Sequence, residues 1–247
     1  MLINSKINNI PVVILAGGFG TRIADVKNRI PKALVKIGKH PIIYHIIKNF
    51  KFFGLKKFII CTGFKGNEIK KYFRDNQNNQ TFKDLDITFV YSGINSNTGK
   101  RIKKVKNKIK NIFFLTYCDG LINLNFKKLL NTYLKRDKIG IMTVINPQSR
   151  FGIVSINKKN NIYSFDEKKI IKNLWVNAGF YIFNKAIFKL INGKNPIFES
   201  ETLKKISKEK KLSSFKHRGF WKCMDTIKDK NELNKLWKEN KCPWKNW

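Results

Sequence analysis

The chain has 247 residues, 42% of them hydrophobic, enough to bury a sizeable core in one α/β domain of ordinary size. Its four cysteines are isolated and its three histidines form no metal-binding spacing, which excludes a disulfide scaffold and a zinc module and points to a reducing, cytoplasmic setting. Residues 1–9 lack the apolar stretch of a secretory signal, and no apolar run approaches membrane-spanning length. The formal net charge of +35 suits anionic substrates or a nucleic acid, yet its scatter through Lys-, Asn- and Ile-rich stretches is what A- and T-rich codons give without any partner.

The first predicted element is a strand over residues 12–15 (VVIL), an apolar, largely β-branched run of the kind buried on both faces of a parallel sheet. It runs into Ala16-Gly17-Gly18-Phe19-Gly20-Thr21-Arg22. The glycines free the backbone to aim successive N–H groups into one anion-binding concavity. Arg22 adds a planar fork of donors for phosphate oxygens, and Pro31-Lys32 adds a second cation. Two familiar phosphate motifs do not fit: there is no GxxxxGK[ST], and GxGxxG started at Gly18 meets Ile23 where its third glycine belongs.

Ile42, Ile43, Ile46, Ile47, Phe50 and Phe53 then form a helical stripe stopped by Gly54, with His45 in a packing role. Residues 57–62 read as a buried strand, 63–73 as a loop and amphipathic helix, 76–80 as a polar loop and 85–91 as an alternating strand. In 100–110 (KRIKKVKNKIK), Ile102, Val105 and Ile109 recur at helical spacing, so the lysines form the solvated face of a docked helix. Residues 112–117 are a further strand, ending in Cys118-Asp119-Gly120. Strands alternating with helices predict a largely parallel sheet with ligands at the carboxyl ends of its strands. Asp119 then stands on the same sheet edge as the glycine loop, either as a carboxylate for Mg2+ or as an ordinary Asp-Gly turn.

The second half is richer in strands, at 139–145, 151–156, 163–165 and 175–183. They enclose three polar clusters, Arg150-Phe151-Gly152, Asp166-Glu167-Lys168 and Asn177-Ala178-Gly179. Each alone reads as surface or turn. Together they offer what a sugar phosphate needs: Glu167 to accept from hydroxyls, Lys168 to pair with the phosphate, and Asn177 and Gly152 for amide contacts. Phe198-Glu199-Ser200-Glu201 opens a helix whose acids favour its dipole whatever the function. Asp225-Thr226 stands where an N-cap would before a last helix.

LAGGFGTR at 15–22, followed by PKAL at 31–34, resembles the signature of the sugar-phosphate nucleotidylyltransferases. The resemblance implies a Rossmann-like α/β fold, a mixed, mostly parallel sheet flanked by helices with a smaller strand-rich sugar-binding part. The whole of 1–247 is then one domain, with a nucleotide-binding half at 10–135 and a sugar-binding half plus C-terminal helix at 136–247. It also implies that Leu15, Ala16, Gly17, Gly18, Gly20 and Thr21 hold a nucleoside triphosphate, Arg22 its departing pyrophosphate and Lys32 its α-phosphate. Thr98 and Gly99, in Thr98-Gly99-Lys100-Arg101, resemble the Thr-Gly-Gly-Arg segment beside the base, with Lys100 replacing the second glycine. Gly152, Glu167, Lys168 and Asn177 resemble the RFG, EKP and NGG segments that, with Glu201, hold the sugar phosphate; Lys169 and Ala178 depart from that pattern. Asp119 and Asp225 would share Mg2+, and Arg22, Lys32 and Asp119 are the expected catalytic residues.

The closing run at 219–247, ending in Trp-Lys-x-Trp, resembles the tail of the branch of that family that couples CTP to glucose 1-phosphate. The stretch from Phe73 to Thr98 is shorter than is usual there, in a region tied to base recognition and subunit contacts. The expectation is cytidylyl transfer from CTP to α-D-glucose 1-phosphate by a cytoplasmic homo-oligomer with no specific nucleic acid and no membrane partner. The alternatives are the same reaction with dTTP, UTP or another sugar 1-phosphate, and a basic nucleic-acid-binding module on an inactive transferase scaffold.

Overall fold

Val12 and Ile14 of the strand Pro11–Ala16 (β1) pack into one core cluster, Val13 and Leu15 into a second, and all four are buried. A strand apolar on both sides belongs inside a sheet covered on both faces, and that is its place in the computed structural model, which describes residues 7–20, 30–149, 151–167, 169–171 and 174–247. Two short pieces, β2 (Lys36–Ile37) and β3 (His40–Pro41), pair with each other. Then follow β4 (Lys57–Thr62), β5 (Asp86–Tyr91), β6 (Ile112–Tyr117), β7 (Gly120–Ile122), β8 (Gly140–Ile145), β9 (Ile153–Ile156), β10 (Ile162–Asp166), β11 (Val176–Asn184), β12 (Leu212–His217) and β13 (Trp221–Cys223).

Seven of these make the central sheet, in the order β12-β8-β11-β6-β1-β4-β5. Every neighbouring pair is parallel except the two made by β11, which runs antiparallel to both β6 and β8. The second half of the chain thus builds into the sheet begun by the first, and the expected mixed, mostly parallel α/β architecture is the one found. Helices α1 (Ile42–Phe52) and α4 (Phe126–Leu134) cover one face, where Phe50, Phe114, Phe126 and Phe180 meet. Val105, Phe113, Phe188 and Phe198 fill the other. Helix α2 (Gly66–Asp75) follows β4, and α6 (Ile227–Lys238) opens with a reciprocal cap between Thr226 and Asp229. After it the chain buries Trp244 completely and brings the Asn246 amide to Asn49 of α1 at 2.7 Å. Among the described residues no helix is long and apolar enough to cross a membrane.

Two predicted helices come out differently. The stretch 100–110 is α3 (Thr98–Lys103) followed by a separate 3-10 turn, Lys106–Lys108. Ile102, Val105 and Ile109 still reach the core; the β-branched Val105 stands at the break, where a continuous helix gains least from it. The helix predicted after Ile197 begins as a π-helical turn, Phe198–Leu203, and only then becomes α5 (Lys204–Lys208). Beside the sheet, β9 and β10 pair only with each other, as a two-stranded ribbon.

Candidate active site

The register pairs Leu15 with Tyr117 and Ala16 with Thr62, so β1, β4 and β6 end together on one sheet edge. The glycines after β1 are needed there for contact. A Cβ on Gly17 would lie 1.9 Å from Arg101 Nη1 and 2.9 Å from the Gly63 nitrogen. Gly20 has φ +63, and a Cβ there would stand 3.0 Å from Lys32 Cβ. The loop therefore lies directly on a guanidinium and on Lys32. Thr21, Arg22, Arg150 and Lys168 lie outside the described residues.

Lys32 starts the 3-10 turn Lys32–Leu34 behind Pro31, whose fixed φ suits a helix entry. Its Nζ donates to Asp119 Oδ2 at 2.7 Å and to Asp225 Oδ1 at 2.6 Å. Burial alone would lower the Lys32 pKa, but the Asp119 carboxylate, with help from Asp225, outweighs it and holds the ammonium above its ordinary range. Asp119 follows β6, and a second pairing brings Asp225 to it across the sequence: β13 runs antiparallel to β7, Cys223 lies opposite Gly120, and the Met224 amide donates to the Asp119 carbonyl at 2.8 Å. Carboxylate oxygens of Asp119 and Asp225 and the Cys223 sulfur fall within 4.8 Å of one another. Burial, and then Asp119, push the Cys223 thiol pKa up.

These groups face a cavity of about 720 Å³. Leu15, Ala16, Gly17, Gly18, Gly20 and Lys32 line one side; Thr98, Asp119, Glu199 and Asp225 also reach its wall. The predicted metal pair, the described part of the glycine loop, Lys32 and Thr98 thus come together. Gly99 does not join them: its amide donates to the Pro196 carbonyl at 3.1 Å, and a Cβ would meet that oxygen at 2.8 Å, so it is a close-packing glycine behind the wall. Glu201 is exposed and accepts from the Ile197 amide at 2.7 Å, capping its own turn. Glu199, two residues earlier in the same π-helical turn, lines the cavity instead. Its Oε2 accepts from Thr98 Oγ1 at 2.6 Å and its Oε1 from the Tyr117 hydroxyl.

Gly152, Glu167 and Asn177 are not on that wall. Gly152 packs against the Phe165 ring in the ribbon, with Glu167 close by. Asn177 is linked to the cavity through hydroxyls: its Nδ2 donates to Tyr181, whose hydroxyl lies 3.3 Å from that of Tyr117, and Tyr117 donates to Glu199. Burial first, then Tyr181 and Glu199, drive the Tyr117 pKa far up, so this chain stays neutral and donating.

Arg101 was missed by sequence reasoning. It is buried and donates from Nη1 to Ser92 Oγ at 2.7 Å and the Gly93 carbonyl at 3.0 Å, and from Nη2 to the Ile94 carbonyl at 3.1 Å. It lines the cavity beneath Gly17, and burial lowers its pKa from the usual arginine value. The signal was available: Arg101 precedes Val105 by four and Ile109 by eight, on the stripe already assigned to the core.

A glycine loop, a lysine clasped by two carboxylates and a cavity thus meet at the carboxyl ends of the strands of an α/β sheet, the place where such sheets bind ligands. The profile of the family described as nucleotidyl transferase matches residues 11–239. The chain is 35% identical to the glucose-1-phosphate cytidylyltransferase of Salmonella typhimurium (strain LT2), over 95% of its own length and 98% of that protein. It is 34% identical to a probable glucose-1-phosphate cytidylyltransferase of Bacillus subtilis (strain 168), over 95% and 99%. HddC from Yersinia pseudotuberculosis, at 23% identity, superposes with a TM-score of 0.72 over 92% of this chain and 99% of that one, and shares the fold. The chain belongs to the nucleotidyl transferase family and is a nucleotidyltransferase enzyme.

Proposed function

We propose that the chain transfers the cytidylyl group of CTP to α-D-glucose 1-phosphate, forming CDP-glucose and pyrophosphate. The observation that carries the reading is Lys32 held between Asp119 and Asp225 on the wall of a cavity that the glycine loop also lines. The extent of identity to relatives named for this reaction supports the choice of substrates.

The Lys32 ammonium is itself a test of the metal site, since it is a cation seated on two carboxylate oxygens. Hard carboxylate donors of this kind fit Mg2+. Asp119 and Asp225 would hold it, and when bound it would neutralise charge on the phosphates. In the reaction an oxygen of glucose 1-phosphate forms a bond to the α-phosphorus while the bond to the bridging oxygen breaks and pyrophosphate leaves; no covalent enzyme intermediate is required. The work of the protein is positioning and electrostatics. Backbone amides of Gly17 and Gly18 hold the β and γ phosphates with Arg22, and Lys32 turns from its carboxylates to the α-phosphate. Leu15, Ala16, Gly20, Thr21 and Thr98 shape the nucleotide side, with Gly99 behind them. On the sugar side we assign Gly152, Glu167, Lys168 and Asn177, with Glu199 in place of Glu201. We further assign the enzyme to the cytoplasm as one domain with a nucleotide half and a sugar half, acting as a homo-oligomer.

A screen for pyrophosphate release tests the reading, with CTP, UTP, dTTP, ATP and GTP each offered with a panel of sugar 1-phosphates and Mg2+. Release with CTP and glucose 1-phosphate alone is expected. Release with a different pair would keep the mechanism and discard these substrates, and no release with any pair would reject the function.

A further inference from the structure

Cys223 has no part in the chemistry above, yet it lies in the metal site. It is the last residue of β13, opposite Gly120, which directly follows Asp119. Its sulfur and the carboxylate oxygens of Asp119 and Asp225 lie within 4.8 Å of one another, and among the described residues these form the one group of three such donors. The space they surround already attracts positive charge, for Lys32 Nζ sits 2.7 and 2.6 Å from the two carboxylates. The other thiols are engaged or sequestered: Cys61 is buried with its sulfur 3.8 Å from the Arg101 carbonyl, Cys118 is buried, and Cys242 lies 3.6 Å from the Leu236 carbonyl.

Oxygen donors alone favour a hard ion such as Mg2+, which gains little from sulfur. Adding one sulfur to two carboxylates changes the ranking, because thiolate selects softer ions. Zinc accepts this donor set, at about 2.3 Å from sulfur and about 2.1 Å from oxygen, and three protein ligands leave it an open position. We infer that Asp119, Cys223 and Asp225 form a site for a thiophilic divalent cation of the zinc class, which competes with Mg2+ and takes the seat of the Lys32 ammonium. Binding forms a metal–sulfur bond as the thiol proton passes to solvent; no electrons are transferred. A soft ion held there keeps out both Mg2+ and Lys32 and so holds the enzyme inactive until a chelator or excess Mg2+ removes it. The inference rests on the proposed reading of Asp119 and Asp225 as metal ligands.

The test is a titration of the metal-free enzyme with Cd2+, followed by the ultraviolet charge-transfer absorption of a cadmium–sulfur bond, which is independent of activity. The wild type should give a band that saturates at a single equivalent and is reversed by excess Mg2+. Cys223→Ser and Cys223→Ala, checked for folding by circular dichroism, should lose the band and bind Cd2+ at least roughly tenfold more weakly, since even outer partners of metal ligands are worth that much. Asp119→Asn should weaken Cd2+ binding while Cys223 is intact. No band in the wild type, or an equal band in folded Cys223→Ser, overturns the role of Cys223 and leaves the carboxylate pair standing. An unchanged Cd2+ affinity in Asp119→Asn overturns the carboxylate reading itself. Failure of Mg2+ to displace Cd2+ overturns the shared seat.

Discussion

The glycine loop after β1 and the ribbon β9–β10 both carry residues that the sequence marks for ligands, yet they are held by different means. The loop follows a strand buried on both faces and rests on Arg101, itself fixed by three hydrogen bonds to the turn at residues 92–94. The ribbon pairs only with itself, and Phe151, Tyr163 and Phe165 are 80%, 72% and 63% exposed. The groups assigned to the phosphates are preorganised by the core. Gly152 and Glu167, assigned to the sugar, flank an element with little core of its own, where packing fixes them less, whereas Asn177 stands on β11 of the central sheet.

The sharpest way to break this contrast is at Lys32. Lys32→Ala should lower kcat by roughly a hundredfold or more, on the scale of removing one preorganised charge donor, with a much smaller change in CTP affinity. A rate within a few-fold of wild type in a pyrophosphate-release assay would mean that the clasped lysine is structural. Next in size is Gly17→Ala. Its methyl would strike both the Arg101 guanidinium, held by three hydrogen bonds, and the Gly63 backbone nitrogen, and a loss of about 1–3 kcal/mol in denaturant unfolding is expected.

His45 of α1 provides a third test on the anchored side. It is fully buried, with Nε2 3.0 Å from the Ile37 carbonyl and therefore donating to it, and burial lowers its pKa from 6.5 to about 4. Between those values the unfolded chain binds the proton and the folded one does not, so stability falls as pH falls. The loss from about pH 7 to about pH 5 should be about 2 kcal/mol, read as a drop in Tm that His45→Gln reduces. A Tm that rises on acidification would contradict the neutral, buried ring. The smallest effect belongs to the ribbon: Phe165→Ala should change unfolding free energy by no more than about 0.5 kcal/mol. Glu167→Gln should raise KM for the sugar phosphate and leave that for CTP unchanged; the opposite pattern would move Glu167 to the nucleotide.

The sequence spelled out the strands that are apolar on both faces, and residues 57–62 and 112–117 have the predicted limits. It could not spell out the pairing of β7 with β13, three residues each, which carries Asp225 to Asp119; such short strands have no periodicity to read. Resemblance supplied that convergence. That Glu199 and not Glu201 lines the cavity was not legible, because the π turn in which both stand has no signature in sequence. Arg101 was legible by spacing and was passed over because a charged residue reads as solvent-facing, although three carbonyl and hydroxyl acceptors make its burial tolerable.

The most direct test of the central claim follows CTP, glucose 1-phosphate and Mg2+ by phosphorus NMR with the wild type and with the folded Asp119→Asn, Asp225→Asn double variant. The wild type should yield pyrophosphate and CDP-glucose in equal amounts, and the double variant neither at a comparable rate. Equal product formation by the two proteins would contradict the placing of the reaction between the glycine loop and the carboxylate pair.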